Sequence, residues 1–231
     1  MDANTLFRVP ELIAVITGGG SGLGLMMARA LATNGAKRVY IAGRRLDKLE
    51  AAASLHPDII IPIVCDVTSK DSLASLAAKV KEEVGYVNLL VCNSGIVGPP
   101  VSELGVTPKD GAASLQKAIW DKWSVEDFTR TYEVNCTAVF FTAIAFLELL
   151  DLGNKPENRV EGVLSQIVIT GSIASYIRVV VSGFAYVSSK AGVVQMMKAM
   201  ATYLAPFQIR SNAICPGKQP SSLTALGARC F

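Results

Sequence analysis

Two side chains four residues apart, Tyr186 and Lys190, could together move a proton. On a helix, Y-x-x-x-K puts both on one face, one turn apart. An ammonium there favours the phenolate, so the phenol can give or take a proton nearer neutrality. Ser172, in Thr170-Gly171-Ser172 and fourteen residues before Tyr186, can offer a hydroxyl to the same cleft. A second constellation is Thr17-Gly18-Gly19-Gly20-Ser21-Gly22-Leu23-Gly24. Glycines 18, 22 and 24 allow a tight turn and close approach of backbone to a pyrophosphate. The N-terminus of the helix that follows supplies free N–H groups and a positive dipole end. The spacing is G-x-x-x-G-x-G rather than G-x-G-x-x-G. Arg44 lies 20 residues beyond Gly24 and is followed by Arg45. An acidic residue at that place would bond a ribose 2′-hydroxyl and select NAD, whereas an arginine favours a 2′-phosphate. NADP is therefore expected over NAD.

These residues need a scaffold, and short β-branched runs alternating with amphipathic stretches provide one. The apparent strands are Leu12–Thr17, Arg38–Ala42, Ile59–Val64, Asn88–Cys92, Leu164–Thr170 and Ile209–Cys215. Most are apolar throughout, as strands buried on both faces should be, although Pro62 interrupts the third. Helical patterns cover Gly22–Asn34, Leu46–Ser54, Lys70–Val84, Val125–Leu150 and Phe184–Leu204. Asn34-Gly35 stops the first, and Ser124 with Asp127 reads as an N-cap with an acid three residues on. The alternation predicts an α/β fold, a Rossmann-like doubly wound parallel sheet with right-handed crossovers, forming a single domain over residues 1–231. The chemical residues then fall at or beyond carboxyl ends of strands, where open α/β sheets bind ligands. One segment breaks the rhythm: Gly98–Trp123 reads as a surface excursion, either a decorative loop or part of a substrate lip.

Composition sets the outer bounds. The chain has 231 residues, 22 Lys and Arg against 19 Asp and Glu, a net charge of +3 and 51% apolar residues. Disorder and a disulfide-stapled mini-protein are excluded. The weak charge argues against nucleic-acid and anionic-membrane partners. Cys65, Cys92, Cys136, Cys215 and Cys230 are odd in number and form no metal knuckle, so reduced thiols and a cytoplasmic location are expected. A single histidine, His56, excludes a multi-His metal site, and no metal is expected. The opening residues carry no secretory h-region. Thr137–Leu147 is too short to span a bilayer, which points to a soluble protein.

Taken in order along residues 10 to 217, the motifs resemble the short-chain dehydrogenase/reductase family. Its glycine motif matches Gly18, Gly22 and Gly24, and its adenine-contacting acid matches Asp66 in Cys65-Asp66-Val67. Its Asn-Asn-Ala-Gly motif is present as Cys92-Asn93-Ser94-Gly95, and its Pro-Gly turn beside the nicotinamide as Pro216-Gly217. Its catalytic Asn, Ser, Tyr and Lys fall on Asn135, Ser172, Tyr186 and Lys190. The resemblance implies an NADP(H)-dependent oxidoreductase interconverting a ketone and a secondary alcohol. Tyr186 would be proton donor, Ser172 would bond the same oxygen, and Lys190 would depress the Tyr186 pKa and hold ribose hydroxyls. Asn135 would hold a water linking Lys190 to solvent. The tail Gln219–Thr224 and the segment after Ile96 resemble members acting on 3-oxoacyl or secondary-metabolite carbonyls. The apolar face of Val139–Leu150 resembles helices that pair between subunits in this family, which implies a homodimer or homotetramer, with core packing within the monomer as the competing explanation.

The pattern departs from the family at three places. Ser94 replaces an alanine. The span from Ser172 to Tyr186 is one residue longer than usual, which leaves Ser175 as an alternative hydroxyl. After Gly217 no strand-like run is recognisable in Lys218–Phe231, so a seventh strand is expected to be missing. That shortening keeps a second reading open, a catalytically impaired protein that only binds nucleotides or partners.

Overall fold

The computed structural model describes residues 7–180 and 182–217, so the expectation about Lys218–Phe231 lies outside the described residues. Six parallel strands form one sheet in the order β3-β2-β1-β4-β5-β6. They are β1 (Ile13–Thr17), β2 (Arg38–Gly43), β3 (Ile60–Val64), β4 (Leu89–Cys92), β5 (Gln166–Thr170) and β6 (Arg210–Ile214). Each lies within a residue or two of its expected bounds. Pro62 is tolerated because β3 is an edge strand, where a missing N–H leaves no ladder bond unmade.

The period of two along each strand divides the core. Ile13, Val15, Tyr40 and Ala42 join one buried cluster, while Ala14, Ile16, Val39 and Ile41 join the other. The second cluster is closed by Ala28 and Ala32 of α1 (Gly22–Thr33) and by Leu49 and Ala52 of α2 (Leu46–Ala53). The first is closed by Leu73, Leu76 and Val80 of α3 (Lys70–Glu83), and by helices described next. This doubly wound arrangement is the Rossmann-like fold. Because β1 lies between β2 and β4, the strand order reverses there, and a crevice opens at the carboxyl ends of β1 and β4.

Two expectations need correction. The segment Gly98–Trp123 lies at the surface, with most of its residues exposed, but it is not a plain loop. It forms two 3₁₀ turns, Val101–Glu103 and Pro108–Asp110, and then the helix α4 (Gly111–Lys122). Thr107 donates from its backbone N–H and its hydroxyl to Asp110 Oδ2, at 2.8 and 2.7 Å, which caps the second 3₁₀ turn. Lys122 Nζ reaches back to the carbonyls of Glu103 and Leu104 and closes the excursion on itself.

The expected long helix from Val125 is three shorter ones: α5 (Val125–Tyr132), α6 (Ala138–Ala145) and α7 (Leu147–Leu152). A π-turn, Glu133–Thr137, separates the first two, and the fully buried Phe146 leaves helical geometry between the last two. Such a turn inserts one residue into the ladder and re-aims the side chains after it. The helix α8 (Phe184–Leu204) starts and stops at the expected residues. Among the described residues no helix is long and apolar enough to cross a membrane.

Candidate active site

The loop from β1 into α1 has the form of a phosphate cradle. Ser21 is the N-cap of α1 but makes no side-chain capping bond, and no acid stands in the first turn, so the helix end faces outward uncapped. Gly22 has φ +54°, and a Cβ built on it would meet nothing within 4 Å, so the space above the turn is open. Gly24 is required for the opposite reason: its Cβ would lie 2.4 Å from the Gly18 carbonyl oxygen. With Leu23, these residues fit a pyrophosphate, since free N–H groups meet an anion with no side chain in the way.

Asn93 ties this loop to the neighbouring strands. Its Nδ2 donates to the Thr17 carbonyl at 3.1 Å, its backbone N–H donates to Thr17 Oγ1 at 3.0 Å, and its Oδ1 accepts from Thr170 Oγ1 at 3.1 Å. The ends of β1, β4 and β5 are thereby locked together. Ser94 adds a backbone N–H bond to the same Thr17 hydroxyl.

Just beyond the end of β3, Asp66 Oδ1 accepts from the Thr68 N–H and hydroxyl, at 3.0 and 2.8 Å. Those bonds hold its carboxyl below the ordinary range, helped by the fields of Arg44 and Arg130. Val67 beside it is buried. Arg44 and Arg45 are both exposed. Arg45 donates to Ser21 Oγ at 3.3 Å, bridging the end of β2 to the glycine loop. Asp47, the acid that follows them most closely in the sequence, stands in the first turn of α2.

The remaining residues gather around the start of α8. Lys190 is only 5% exposed, its Nζ donates to the Thr170 carbonyl at 2.7 Å, and it lies 5.9 Å from the centre of the Tyr186 ring. Burial pushes its pKa down to about 8, against the opposing fields of Cys136 and Cys215. A Cβ on Gly95 would come within 3.4 Å of Lys190 Nζ and 3.1 Å of Asn135 Oδ1, which brings the β4 loop into the same cluster. Ser172, almost buried, accepts at Oγ from the Ala174 N–H at 3.1 Å, and its own hydrogen remains free to donate. Ser175 donates to the Lys190 carbonyl at 2.9 Å and is committed there.

Asn135 sits in the π-turn, fully buried. Its Oδ1 accepts from the Ile96 N–H, and its Nδ2 donates to the Ile96 carbonyl and to Ser189 Oγ, at 2.9, 2.9 and 3.0 Å. The hydroxyl of Ser189 donates onward to the Tyr186 carbonyl at 2.8 Å. Ser189 is not singled out by the sequence, although it directly precedes Lys190. Pro216 accepts at its carbonyl from the Ile173 N–H at 3.0 Å, so the turn before Gly217 closes over the end of β5.

Known proteins show the same framework. The short chain dehydrogenase family matches residues 12–225 of the chain. The chain belongs to the short-chain dehydrogenase/reductase family. The short-chain dehydrogenase/reductase PhomF′ of Diaporthe leptostromiformis is 44% identical over 228 residues, covering 96% of this chain and 75% of that protein. The Pseudomonas aeruginosa RhlG/NADP active-site complex superimposes with a TM-score of 0.77 at 25% identity, over 95% of this chain and 77% of that one. A 7α-hydroxysteroid dehydrogenase complexed with NADH and 7-oxo glycochenodeoxycholic acid gives 0.80 at 24% identity, over 99% and 79%, a likeness of fold. This short-chain dehydrogenase/reductase is therefore an oxidoreductase of a family that works with a nicotinamide cofactor.

Proposed function

We propose that the chain interconverts a ketone and a secondary alcohol with NADP(H), and that Ser172, Tyr186, Lys190 and Asn135 form its catalytic group. The observation that carries this reading is Lys190, a buried cation held by the Thr170 carbonyl one helical turn from the Tyr186 phenol. A buried ammonium is costly, and its placement beside a phenol gives it a use.

The bound nicotinamide would supply a hydride to the carbonyl carbon, or take one from the alcohol. In reduction Tyr186 gives its proton to the carbonyl oxygen, and Ser172 donates to the same oxygen while negative charge builds there. Lys190 stabilises the phenolate that remains and is placed to hold ribose hydroxyls. The side-chain amide of Asn135 is committed to Ile96 and Ser189, so a relay water would meet its backbone carbonyl. Gly18, Ser21, Gly22, Leu23 and Gly24 would hold the pyrophosphate, Asp66 and Val67 the adenine, and Asn93, Gly95, Pro216 and Gly217 the nicotinamide half.

Preference for NADP rests on Arg44 and Arg45. Two exposed guanidiniums stand at the end of β2, one bonded to Ser21, and a 2′-phosphate accepts such donors well. The same reading assigns a cytoplasmic homodimer or homotetramer. Phe140 and Ile144 on α6, exposed and apolar, support the assembly.

The test compares NADPH consumption by the wild type and by Tyr186→Phe across a panel of ketones. The expected result is turnover by the wild type and a fall of about 10³-fold in kcat for the variant, with NADPH binding retained. Equal rates would remove Tyr186 from the mechanism.

A further inference from the structure

The chain between Ser172 and Tyr186 carries a surface that proton and hydride transfer do not use. Ile173, Tyr176, Ile177 and Val179 are 49, 63, 41 and 65% exposed, four large apolar or aromatic side chains within seven positions. Isolated apolar residues at a surface need no explanation, but a contiguous set next to a reactive group marks a binding surface. Arg178 is the one charged residue in the stretch 173–180.

This stretch is anchored at its base to the groups assigned to catalysis. Ile173 N–H donates to the Pro216 carbonyl at 3.0 Å, and Ser175 Oγ donates to the Lys190 carbonyl at 2.9 Å. The Tyr176 phenol lies near the Cys215 thiol, just beyond the end of β6. Most of its surface stays open. Ile177 N–H donates to the Ile173 carbonyl, which keeps the two isoleucines on one turn with Tyr176 between them in sequence.

We propose that Tyr176, flanked by Ile173 and Ile177, is the substrate-recognition wall of the site and selects a bulky, uncharged ketone with a ring next to its carbonyl. The proposal rests on the oxidoreductase reading and names its substrate class. The occupant is the substrate because any group covering Ile173 lies one residue from the Ser172 hydroxyl and beside the Pro216-Gly217 turn. An uncharged ring gains by covering exposed isoleucine and tyrosine surface, and an aromatic one gains further from the face or edge of the Tyr176 ring. A carboxylate at the same place would lose its hydration against apolar side chains, with Arg178 alone to offset the loss.

The experiment uses the full chain carrying Tyr186→Phe, loaded with NADPH so that a ketone binds without turnover. Calorimetry with 1-tetralone, cyclohexanone and levulinate then ranks the classes. The expected result is 1-tetralone binding about tenfold or more tighter than levulinate, with cyclohexanone between them. Adding Tyr176→Ala should weaken 1-tetralone about tenfold and leave NADPH affinity unchanged, whereas Tyr176→Phe keeps the ring and stays within about threefold. Levulinate binding as well as 1-tetralone overturns the proposal, and so does indifference to Tyr176→Ala. A change in sedimentation on Tyr176→Ala with no change in ketone affinity also overturns it, because the patch would then face a second copy or the tail. If NADPH itself fails to bind, or the wild type reduces no ketone, the oxidoreductase reading falls and this proposal falls with it.

Discussion

At the scale of single residues, the proposed chemistry rests on a lysine that the fold makes uncomfortable. Lys190 titrates at about 8 in the folded protein and at its ordinary 10.5 in an unfolded chain. Below pH 8 both states hold the proton, and the native state bears the full burden of a buried charge. Between the two values the native protein releases its proton before the unfolded chain does, so the unfolded state binds more protons and stability rises with pH. Cys65 and Cys92, whose thiols burial pushes up, act in the opposite direction as pH rises, but they cancel when two variants are compared. Urea unfolding at pH 7.5 and 9.5 should therefore show the wild type gaining on Lys190→Met as pH rises. A constant difference would mean that Lys190 titrates normally. Ser172→Ala is expected to lower kcat by about 10²-fold with little change in stability, since the proposal makes that hydroxyl a donor to the reacting oxygen. Steady-state kinetics beside a melting curve separates the two effects.

At the scale of elements, two asparagines at opposite ends of β4 divide structure from function. Asn88, just before the strand, accepts at Oδ1 from the Ile13 N–H at 2.9 Å and donates to the carbonyls of Gly153 and Asn158. Asn93, just after it, ties β1 to β5 beneath the phosphate cradle. Each substitution to alanine leaves buried partners unpaired and should cost about 2 kcal/mol, read by urea unfolding. Only Asn93→Ala should also weaken NADPH binding, because only that end of the strand carries the cradle; equal cofactor affinities in the two variants would contradict this. The elements also show what a sequence can disclose. Strands buried on both faces carry a continuous apolar run, and α8 has a clear start at Gly183, so both were legible. The π-turn was not, because Val134, Asn135 and Cys136 look like ordinary helix until the ladder is known to slip by one residue. The helix α4 was hidden by the prolines before it, although Leu115, Ala118 and Ile119 have helical spacing. The bond from the Ile173 N–H to the Pro216 carbonyl joins positions 43 residues apart, and no local pattern encodes such a pairing.

At the scale of the whole molecule, cofactor choice and stability become one measurement. A nucleotide held as proposed, by the β1 loop, the end of β2, the β4 loop and the start of α8, would touch both halves of the sheet, so its binding energy would add to that of the fold. A ligand at a hundredfold over its Kd adds about 2.7 kcal/mol to the native state. NADPH should raise the melting temperature of the full chain by several degrees, and NADH at the same concentration should raise it by less. The difference has a definite source. Arg45 already reaches Ser21 across the mouth of the cradle, so a 2′-phosphate would join a donor pair that exists, whereas the 2′-hydroxyl of NADH meets no acid at the end of β2. Arg44→Asp together with Arg45→Ala should remove the NADPH advantage and improve NADH, since the new carboxylate accepts from a hydroxyl and repels a phosphate. Weakened binding of both cofactors to an equal degree would instead mean that the two arginines attract nucleotides without choosing between them, and cofactor preference would have to be sought in the glycine loop itself.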